Sequence, residues 1–156
     1  MNIKIITVGK IKEQYTKEAI KEYEKRLSSF CSFSIIEVAS EQIIDENLSE
    51  KYKELEAQRI LQLIKQGAYV ITLEIKGKKV SSEEFAQKIK DISNNGVCEI
   101  VFVIGGANGL SHKISNIADF KLSFSDMTFT HQMIRVLLAE QIYRAFKINS
   151  NEPYHR

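Results

Sequence analysis

Short apolar runs alternate with longer segments of helical periodicity along most of the chain, and this alternation restricts the fold more than any other feature. Residues 2–8, 33–38, 68–75, 100–104 and 120–125 have the length and the apolar, often β-branched, content of strands. Strands that alternate with helices are typical of a parallel sheet covered by helices. The sequence therefore predicts an α/β fold, with a mainly parallel sheet and helices on both faces.

The segments between the strands carry helix signals at their ends. The predicted helices are residues 13–30, 48–67, 81–96 and 131–148. Gly67 is expected to cap the second of them. Ser81 and Glu84 have the spacing of a capping box at the start of the third. The stretch "KGKK" at residues 76–79 reads as a turn after the third strand.

Length and composition limit the classes of protein that need to be considered. The chain has 156 residues, 44% of them hydrophobic and 27% charged, which predicts one globular domain over residues 1–156. The net charge of +2 neither excludes nor indicates a nucleic-acid partner. Two distant cysteines, Cys31 and Cys98, do not make a metal cluster, so no metal is expected. Without a signal peptide or an apolar run of about 18 residues, the expected location is the cytoplasm, away from membranes.

The fourth strand runs directly into the glycine-rich stretch "IGGANGL". Its spacing, Gly-Gly-x-x-Gly from Gly105 to Gly109, does not fit the dinucleotide-binding fingerprint, and no P-loop Gly-Lys-Ser/Thr is present. Ligands of open α/β sheets bind beyond the carboxyl ends of the strands, which is where these glycines lie. The pattern alone leaves two interpretations open, a tight turn of the backbone or a close approach to a ligand.

Two further strand ends carry a similar mixture of groups. The third strand ends with Leu73 and Glu74, and the fifth ends in "LSFSDMTFTHQ", which offers hydroxyls next to Met127 and Phe129. In a parallel sheet these ends lie on one side, so together they predict one pocket for a small ligand with polar and apolar parts. Ser, Asp and Thr are also ordinary helix caps, which is the competing interpretation of the last stretch.

The last helix is apolar around most of its circumference, and a charged, aromatic tail follows it. Such a helix is buried on two sides, either in a dimer interface, which we favour, or in the centre of the core. Arg135 and Arg144 on this helix predict anionic partners, either protein or phosphate. In the tail, Tyr154, His155 and Arg156 offer an aromatic ring, a group that titrates near neutral pH and a guanidinium.

Taken together, these motifs resemble a known family. The matching stretches are "ITVGKIKEQY", "TLEIKGKKVSSEEFA", "FVIGGANGL", "LSFSDMTFTHQMIRVLLAEQIYRAFKI" and the terminal "PYHR". From end to end, the chain is similar to the ribosomal RNA large subunit methyltransferase H family, a group of the SPOUT methyltransferases. The resemblance implies a C-terminal trefoil knot, which the residues themselves do not indicate and which is an exception to ordinary chain topology.

The resemblance also implies a cofactor, partners and a reaction. The cofactor is S-adenosylmethionine, and the residues implied to bind it are Leu73, Gly105, Phe124, Ser125, Asp126, Met127, Thr128 and Phe129. The family forms homodimers with the last helix in the interface. Its reaction is methylation of N3 of a pseudouridine in helix 69 of 23S rRNA on assembled 70S ribosomes. Another RNA, such as a tRNA, is the alternative substrate.

Chemistry and the family's Tyr-His-Arg tail together assign roles to the tail and the last helix. His155 is expected to act as the base that removes the N3 proton, and Tyr154 to stack on or orient the nucleobase. Arg144 and Arg156 would hold phosphate or stabilise negative charge, with His131 and Arg135 as second choices. A nicotinamide-dependent enzyme and a non-catalytic ribosome-binding module are the rival interpretations. The glycine spacing weighs against the first and the cofactor-loop match against the second.

Overall fold

The computed structural model describes residues 1–42 and 44–154, and its sheet confirms the α/β class. Five strands of this part of the chain are all parallel, in the order β2-β1-β4-β3-β5. Their bounds are β1 (Asn2–Val8), β2 (Ser32–Val38), β3 (Tyr69–Lys79), β4 (Glu99–Ile104) and β5 (Phe120–Ser123). The helices are α1 (Gln14–Leu27), α2 (Ser49–Leu61), α3 (Ser82–Asn94), α4 (His112–Ile117) and α5 (Met133–Asn149). A short 3₁₀ turn, Glu46–Leu48, precedes α2.

The two faces of the sheet bury two separate clusters of apolar side chains. Successive residues of a strand point to opposite faces, so Ile3 and Ile5 of β1 pack under α1, α3 and α5. Ile6 and Val8 of the same strand pack under α2 and α4. All six residues of β4 are buried, as expected for a central strand covered on both faces. The prediction of helices on both faces is therefore confirmed.

The capping box predicted for α3 is present. The Ser81 hydroxyl accepts a hydrogen bond from the Glu84 backbone N–H at 3.2 Å, and the Glu84 carboxylate accepts one from the Ser81 N–H at 2.7 Å. This pair satisfies two backbone donors that a helix start otherwise leaves without partners. It fixes the position where the chain leaves β3 and enters α3.

Two local predictions were wrong, and one helix was not predicted. Helix α2 ends at Leu61, so Gly67 does not cap it but turns the chain before β3, with a φ of +82°. The stretch 76–79 is not a turn, because β3 continues through it after a bulge and pairs again with β5, Lys78 with Leu122. Helix α4 was not predicted. Its six residues are too few to show helical periodicity.

Helix α5 buries one face in the described chain and leaves apolar side chains on the other. Arg135, Leu138, Ala139, Ile142 and Ala145 are buried against the sheet and its neighbouring helices. The intervening Val136, Leu137 and Phe146 are only half-buried, and Met133 is exposed. The helix is therefore not the central core helix of the competing interpretation.

The trefoil knot stays a prediction. No helix among the described residues is both long and apolar enough to cross a membrane.

Candidate functional site

The carboxyl ends of β3, β4 and β5 meet at one edge of the sheet and surround an open cleft of about 690 Å³. This volume lies within the usual range for small-molecule sites. Seven of the eight residues implied to bind the cofactor line it: Leu73, Gly105, Phe124, Ser125, Met127, Thr128 and Phe129. The eighth, Asp126, is 83% exposed at its side chain and pairs with Lys79 instead. The structure thus brings the three predicted strand ends together.

The glycines after β4 close a tight turn. Gly106 and Gly109 form an isolated bridge, with the Gly109 N–H donating to the Gly106 carbonyl at 3.0 Å, and Gly109 has a φ of +78°. A side chain at Gly105 would lie 2.7 Å from the Gly109 backbone, so the turn itself requires glycine there. The resemblance implies that Gly105 binds the cofactor, but the turn alone accounts for a glycine at this position.

Hydroxyl groups of the loop after β5 mainly hold the loop's own backbone. The Ser125 hydroxyl accepts from the Met127 N–H at 3.0 Å, and the Thr130 hydroxyl accepts from the Met133 N–H at 3.2 Å. Thr130 therefore assists the start of α5, as the capping interpretation expected. These bonds fix the course of the loop that carries Met127 and Phe129 along the cleft.

Large apolar side chains around the cleft are left in contact with solvent. Met127 is 77% exposed, Ile75 is 70% exposed and Phe129 is 41% exposed, although each lines the cleft. Met127 and Phe129 are therefore not part of the buried core. Apolar surface gathered beside polar groups at strand ends is typical of a ligand site. The cleft offers an amphiphilic ligand both apolar contact and hydrogen-bonding groups.

Several residues of the cleft were missed by the sequence analysis. Glu13 and Tyr15, near the start of α1, line the cleft, and so does Ile75, the last residue of the predicted third strand. The Glu74 carboxylate accepts hydrogen bonds from the hydroxyls of Thr72, at 2.7 Å, and Ser115, at 3.1 Å. It thereby anchors the bulge of β3 to α4. Only the fold brings α1 to this edge, and no local pattern indicates it.

Arg135 is fully buried and connects three segments behind the cleft. Its Nη2 donates to the carbonyls of Val8 and Gly9, both at 3.0 Å, and its Nε donates to the His131 carbonyl at 2.8 Å. Its Nη1 pairs with Glu37 at 3.1 Å. Burial lowers the pKa of Arg135 and the Glu37 carboxylate opposes that effect. The expected anionic partner is therefore a protein carboxylate, and Arg135 is a structural residue.

His131 and Gln132 form the next contacts along this segment, and both line the cleft. The Gln132 side-chain oxygen accepts from the backbone N–H of Lys12 at 3.1 Å, which ties the loop before α1 to the start of α5. Burial, with smaller contributions from Arg135 and Lys12, lowers the pKa of His131. This shift favours the neutral form of the imidazole.

Arg144 and Tyr154, two of the four residues expected to act on the target, lie together at the C-terminal end of α5. The Glu140 carboxylate accepts two bonds from Arg144, at 3.0 and 2.6 Å, and one from the Tyr154 hydroxyl at 3.3 Å. The Arg144 guanidinium also lies 4.8 Å from the centre of the Tyr154 ring. The hydrogen bond from Glu140 raises the pKa of Arg144. Glu140 was missed by the sequence analysis; His155 and Arg156 lie outside the described residues.

The cleft lies at the carboxyl ends of the strands. The cluster of Glu140, Arg144 and Tyr154, which we call the tail cluster, lies near their amino ends. Ile134 lines the cleft, whereas Arg144 lies ten residues further along α5. At 1.5 Å per residue, the separation along the helix axis is roughly 15 Å. Phe30, just before β2, stacks on Phe146 at 5.5 Å between ring centres, so this end of α5 lies beside the amino ends of the strands. A bound methyl donor and Arg144 of the same chain would be far apart.

Comparison with known proteins identifies the family to which this chain belongs. The family model described as "Predicted SPOUT methyltransferase" matches residues 1–155. The chain belongs to the SPOUT methyltransferase family. Relatives from Clostridium novyi and Acetivibrio thermocellus, both named ribosomal RNA large subunit methyltransferase H, are 52% and 49% identical to it over the whole of both chains. A relative from Methanococcus maripaludis is 56% identical, also over both whole chains.

A solved structure supports the fold of this SPOUT methyltransferase independently of close sequence similarity. A probable methylase family protein from Haemophilus influenzae Rd KW20 superposes with a TM-score of 0.61 at 14% identity. The match covers 99% of this chain and 70% of the other. At this identity, the likeness concerns the fold alone.

If the exposed apolar side chains contact the methyl donor, their removal weakens its binding. We expect Met127→Ala with Phe129→Ala to raise the Kd for S-adenosylmethionine about tenfold, since about 25 cal/mol is lost per Å² of apolar contact. Isothermal titration calorimetry measures this change. Lys65→Ala, in the loop before β3, is the control. An unchanged Kd in the double variant would show that these side chains do not contact the donor.

Proposed function

We propose that this protein transfers a methyl group from S-adenosylmethionine to N3 of a pseudouridine in helix 69 of 23S rRNA, on assembled 70S ribosomes. The donor supplies a methyl group already activated by its sulfonium, so the protein has to align the reactants and assist loss of the N3 proton. Membership of the SPOUT methyltransferases supports methyl transfer. The names of the full-length relatives support large-subunit rRNA as the substrate.

The exposed apolar lining of the strand-end cleft is the observation that carries the cofactor assignment. Met127, Phe129 and Ile75 present uncovered apolar surface, and Glu13 and Glu74 add carboxylates. S-adenosylmethionine combines an aromatic base, whose faces suit apolar contacts, with ribose hydroxyls and positive charge, so its chemistry matches this set of groups. Leu73, Gly105 and the loop at residues 124–129 would hold it at the carboxyl edge of the sheet.

The tail cluster has the groups that the acceptor requires. Removal of the N3 proton leaves negative charge on the nucleobase, which the guanidinium of Arg144 is suited to stabilise. Glu140 holds that guanidinium in place beside the Tyr154 ring. We assign to Tyr154 the role of stacking on or orienting the nucleobase. We assign the role of base to His155 and a charge-stabilising role to Arg156, from chemistry and from the family's terminal Tyr-His-Arg.

A homodimer resolves the separation between the cleft and the tail cluster. Methyl transfer requires the reacting atoms to come within about 3–3.5 Å, whereas one chain holds its two groups of residues roughly 15 Å apart. The outward face of α5 carries exposed Met133 and half-buried Val136 and Leu137, which is apolar surface suited to a partner. We infer that the tail of one subunit completes the cleft of the other.

Methyl transfer from labelled S-adenosylmethionine tests the proposed substrate. The acceptors are 70S ribosomes from a strain that lacks the enzyme, isolated large subunits and naked 23S rRNA, and the modified nucleotide is then mapped. We expect label at a pseudouridine of helix 69, on the assembled ribosome. Label elsewhere, or on a tRNA offered in parallel, would show that the enzyme has a different substrate and leave the methyltransferase assignment intact.

A further inference from the structure

Four lysines surround the bulge where β3 leaves and rejoins β5. In the register of the two strands, Leu122 is paired with both Leu73 and Lys78, so residues 74–77 form an excursion from the ladder. Lys76 lies in this excursion, Lys78 and Lys79 follow it, and Lys121 lies on β5. All four are exposed. We call these four residues the bulge lysines.

Gly77 lets the backbone of the excursion lie against β5. A side chain there would lie 2.7 Å from the Leu122 carbonyl carbon and 2.8 Å from the Lys121 carbonyl oxygen. The backbone of the excursion therefore rests directly on the backbone of β5. As a result, the backbone of Lys76 and Lys78, which flank Gly77, lies next to that of Lys121.

Most of this positive charge is not compensated. Five lysines of the described residues pair with carboxylates, among them Lys53 with Glu50 and Lys4 with Glu99, whereas other exposed lysines such as Lys51, Lys65 and Lys90 form no ion pair. Among residues 1–42 and 44–154, no ion pair involves Lys76, Lys78 or Lys121. Lys79 is the exception, since it pairs with Asp126 of the loop beside the cleft. Concentrated, unpaired positive charge attracts polyanions, even on a protein with a net charge of only +2.

Protection of a sheet edge is the alternative explanation for these residues. Lysines on an edge strand discourage pairing with another chain, and that role suits Lys121 on β5. It also suits Lys76 and Lys78, because Thr72 is the last residue of β3 that pairs with β4. Position favours a second role, since Lys76 directly follows Ile75, which lines the cleft.

We propose that the bulge lysines bind the phosphate backbone of the RNA substrate and hold it against the rim of the cleft. This inference rests on the proposed function for the identity of the RNA. Three unpaired ammonium groups, at Lys76, Lys78 and Lys121, match successive backbone phosphates, and such contacts orient a nucleic acid without reading its sequence. Lys79 additionally ties this surface to the cofactor loop through Asp126.

The test compares two triple variants that remove the same charge. Lys76→Gln/Lys78→Gln/Lys121→Gln alters the proposed surface, and Lys51→Gln/Lys65→Gln/Lys90→Gln alters three exposed lysines outside β3 and β5. Binding of fluorescently labelled enzyme to 70S ribosomes is measured between about 50 and 200 mM salt at fixed Mg²⁺. Calorimetry measures the Kd for S-adenosylmethionine, and methyl transfer is assayed on the same ribosomes.

For the bulge variant we expect the Kd for ribosomes to rise about tenfold or more. The slope of log Kd against log salt should fall by about 2, because each lost contact contributes about 0.7 for single-stranded RNA. The Kd for S-adenosylmethionine should not change. Equal ribosome affinities and slopes in the two triple variants would overturn the proposal. Lysine-dependent binding without methyl transfer by the wild type would instead refute the proposed reaction and leave this surface intact.

Discussion

Two inactive variants of this protein should form an active enzyme when they are combined in one dimer. The first variant, Arg144→Ala/His155→Ala, lacks the two side chains proposed to stabilise the charge on the nucleobase and to remove its proton. The second, Met127→Asp/Phe129→Asp, has a cleft that no longer accepts the methyl donor. As homodimers, each is expected to lose at least about a hundredfold in methyl transfer, the scale of losing a general base or an electrostatic stabiliser. The heterodimer is expected to recover about half of the wild-type rate, since one of its two sites is intact.

The reason for this expectation is the distance along α5. The cleft at Ile134 and the guanidinium of Arg144 are ten residues apart on one rigid helix, and no rotation of side chains closes roughly 15 Å. In a heterodimer, the intact cleft belongs to the subunit with the damaged tail. Its partner supplies the intact tail, so one complete site forms only if the site spans both subunits.

The heterodimer is obtained by co-expression with two different affinity tags and purification over both. Size-exclusion chromatography confirms that each preparation is dimeric, and near-ultraviolet circular dichroism confirms that it is folded. A second heterodimer, with both sets of substitutions on one subunit and none on the other, is the matched control. If each site is complete within one chain, this control is active and the first heterodimer is not. That result would refute the composite site.

The sheet and the position of the cleft follow from the sequence for a physical reason. A buried parallel strand needs apolar residues on both faces, so the run from Ile100 to Ile104 is recognisable without any tertiary information. Once the strands are parallel, their carboxyl ends lie at one edge, and Leu73, Gly105 and Phe124 can be expected together. The logic depends only on chain direction, which the alternation of strands and helices determines.

Features that depend on contacts between distant segments were not predictable. The polar stretch around Gly77 resembles a turn, and only its contact with the backbone of Lys121 makes it part of β3. The contacts of Glu140 could not be predicted, because they depend on Tyr154 folding back against α5. For Arg135 the sequence predicted an anionic partner, but Glu37 lies 98 residues away and could not be identified.

The largest loss of stability is expected at Arg135. Removing its side chain in Arg135→Ala leaves the carbonyls of Val8, Gly9 and His131 without their partner and the Glu37 carboxylate without its counter-ion. Breaking a buried charged network from one side costs about 3–5 kcal/mol, a large fraction of the stability of a typical domain. Urea denaturation followed by circular dichroism measures the free energy of unfolding.

Arg135→Lys keeps the positive charge but cannot direct donors to four acceptors, so its loss of stability should be intermediate. It also provides a measurable variant if the alanine variant does not fold. Arg59→Ala is the matched control, because this half-exposed arginine also pairs with a glutamate, Glu41, and donates to a backbone carbonyl. At such an exposed site, the loss should be at most about 1 kcal/mol. Equal losses at Arg135 and Arg59 would show that the buried network does not hold the loop before α1 and the start of α5 together.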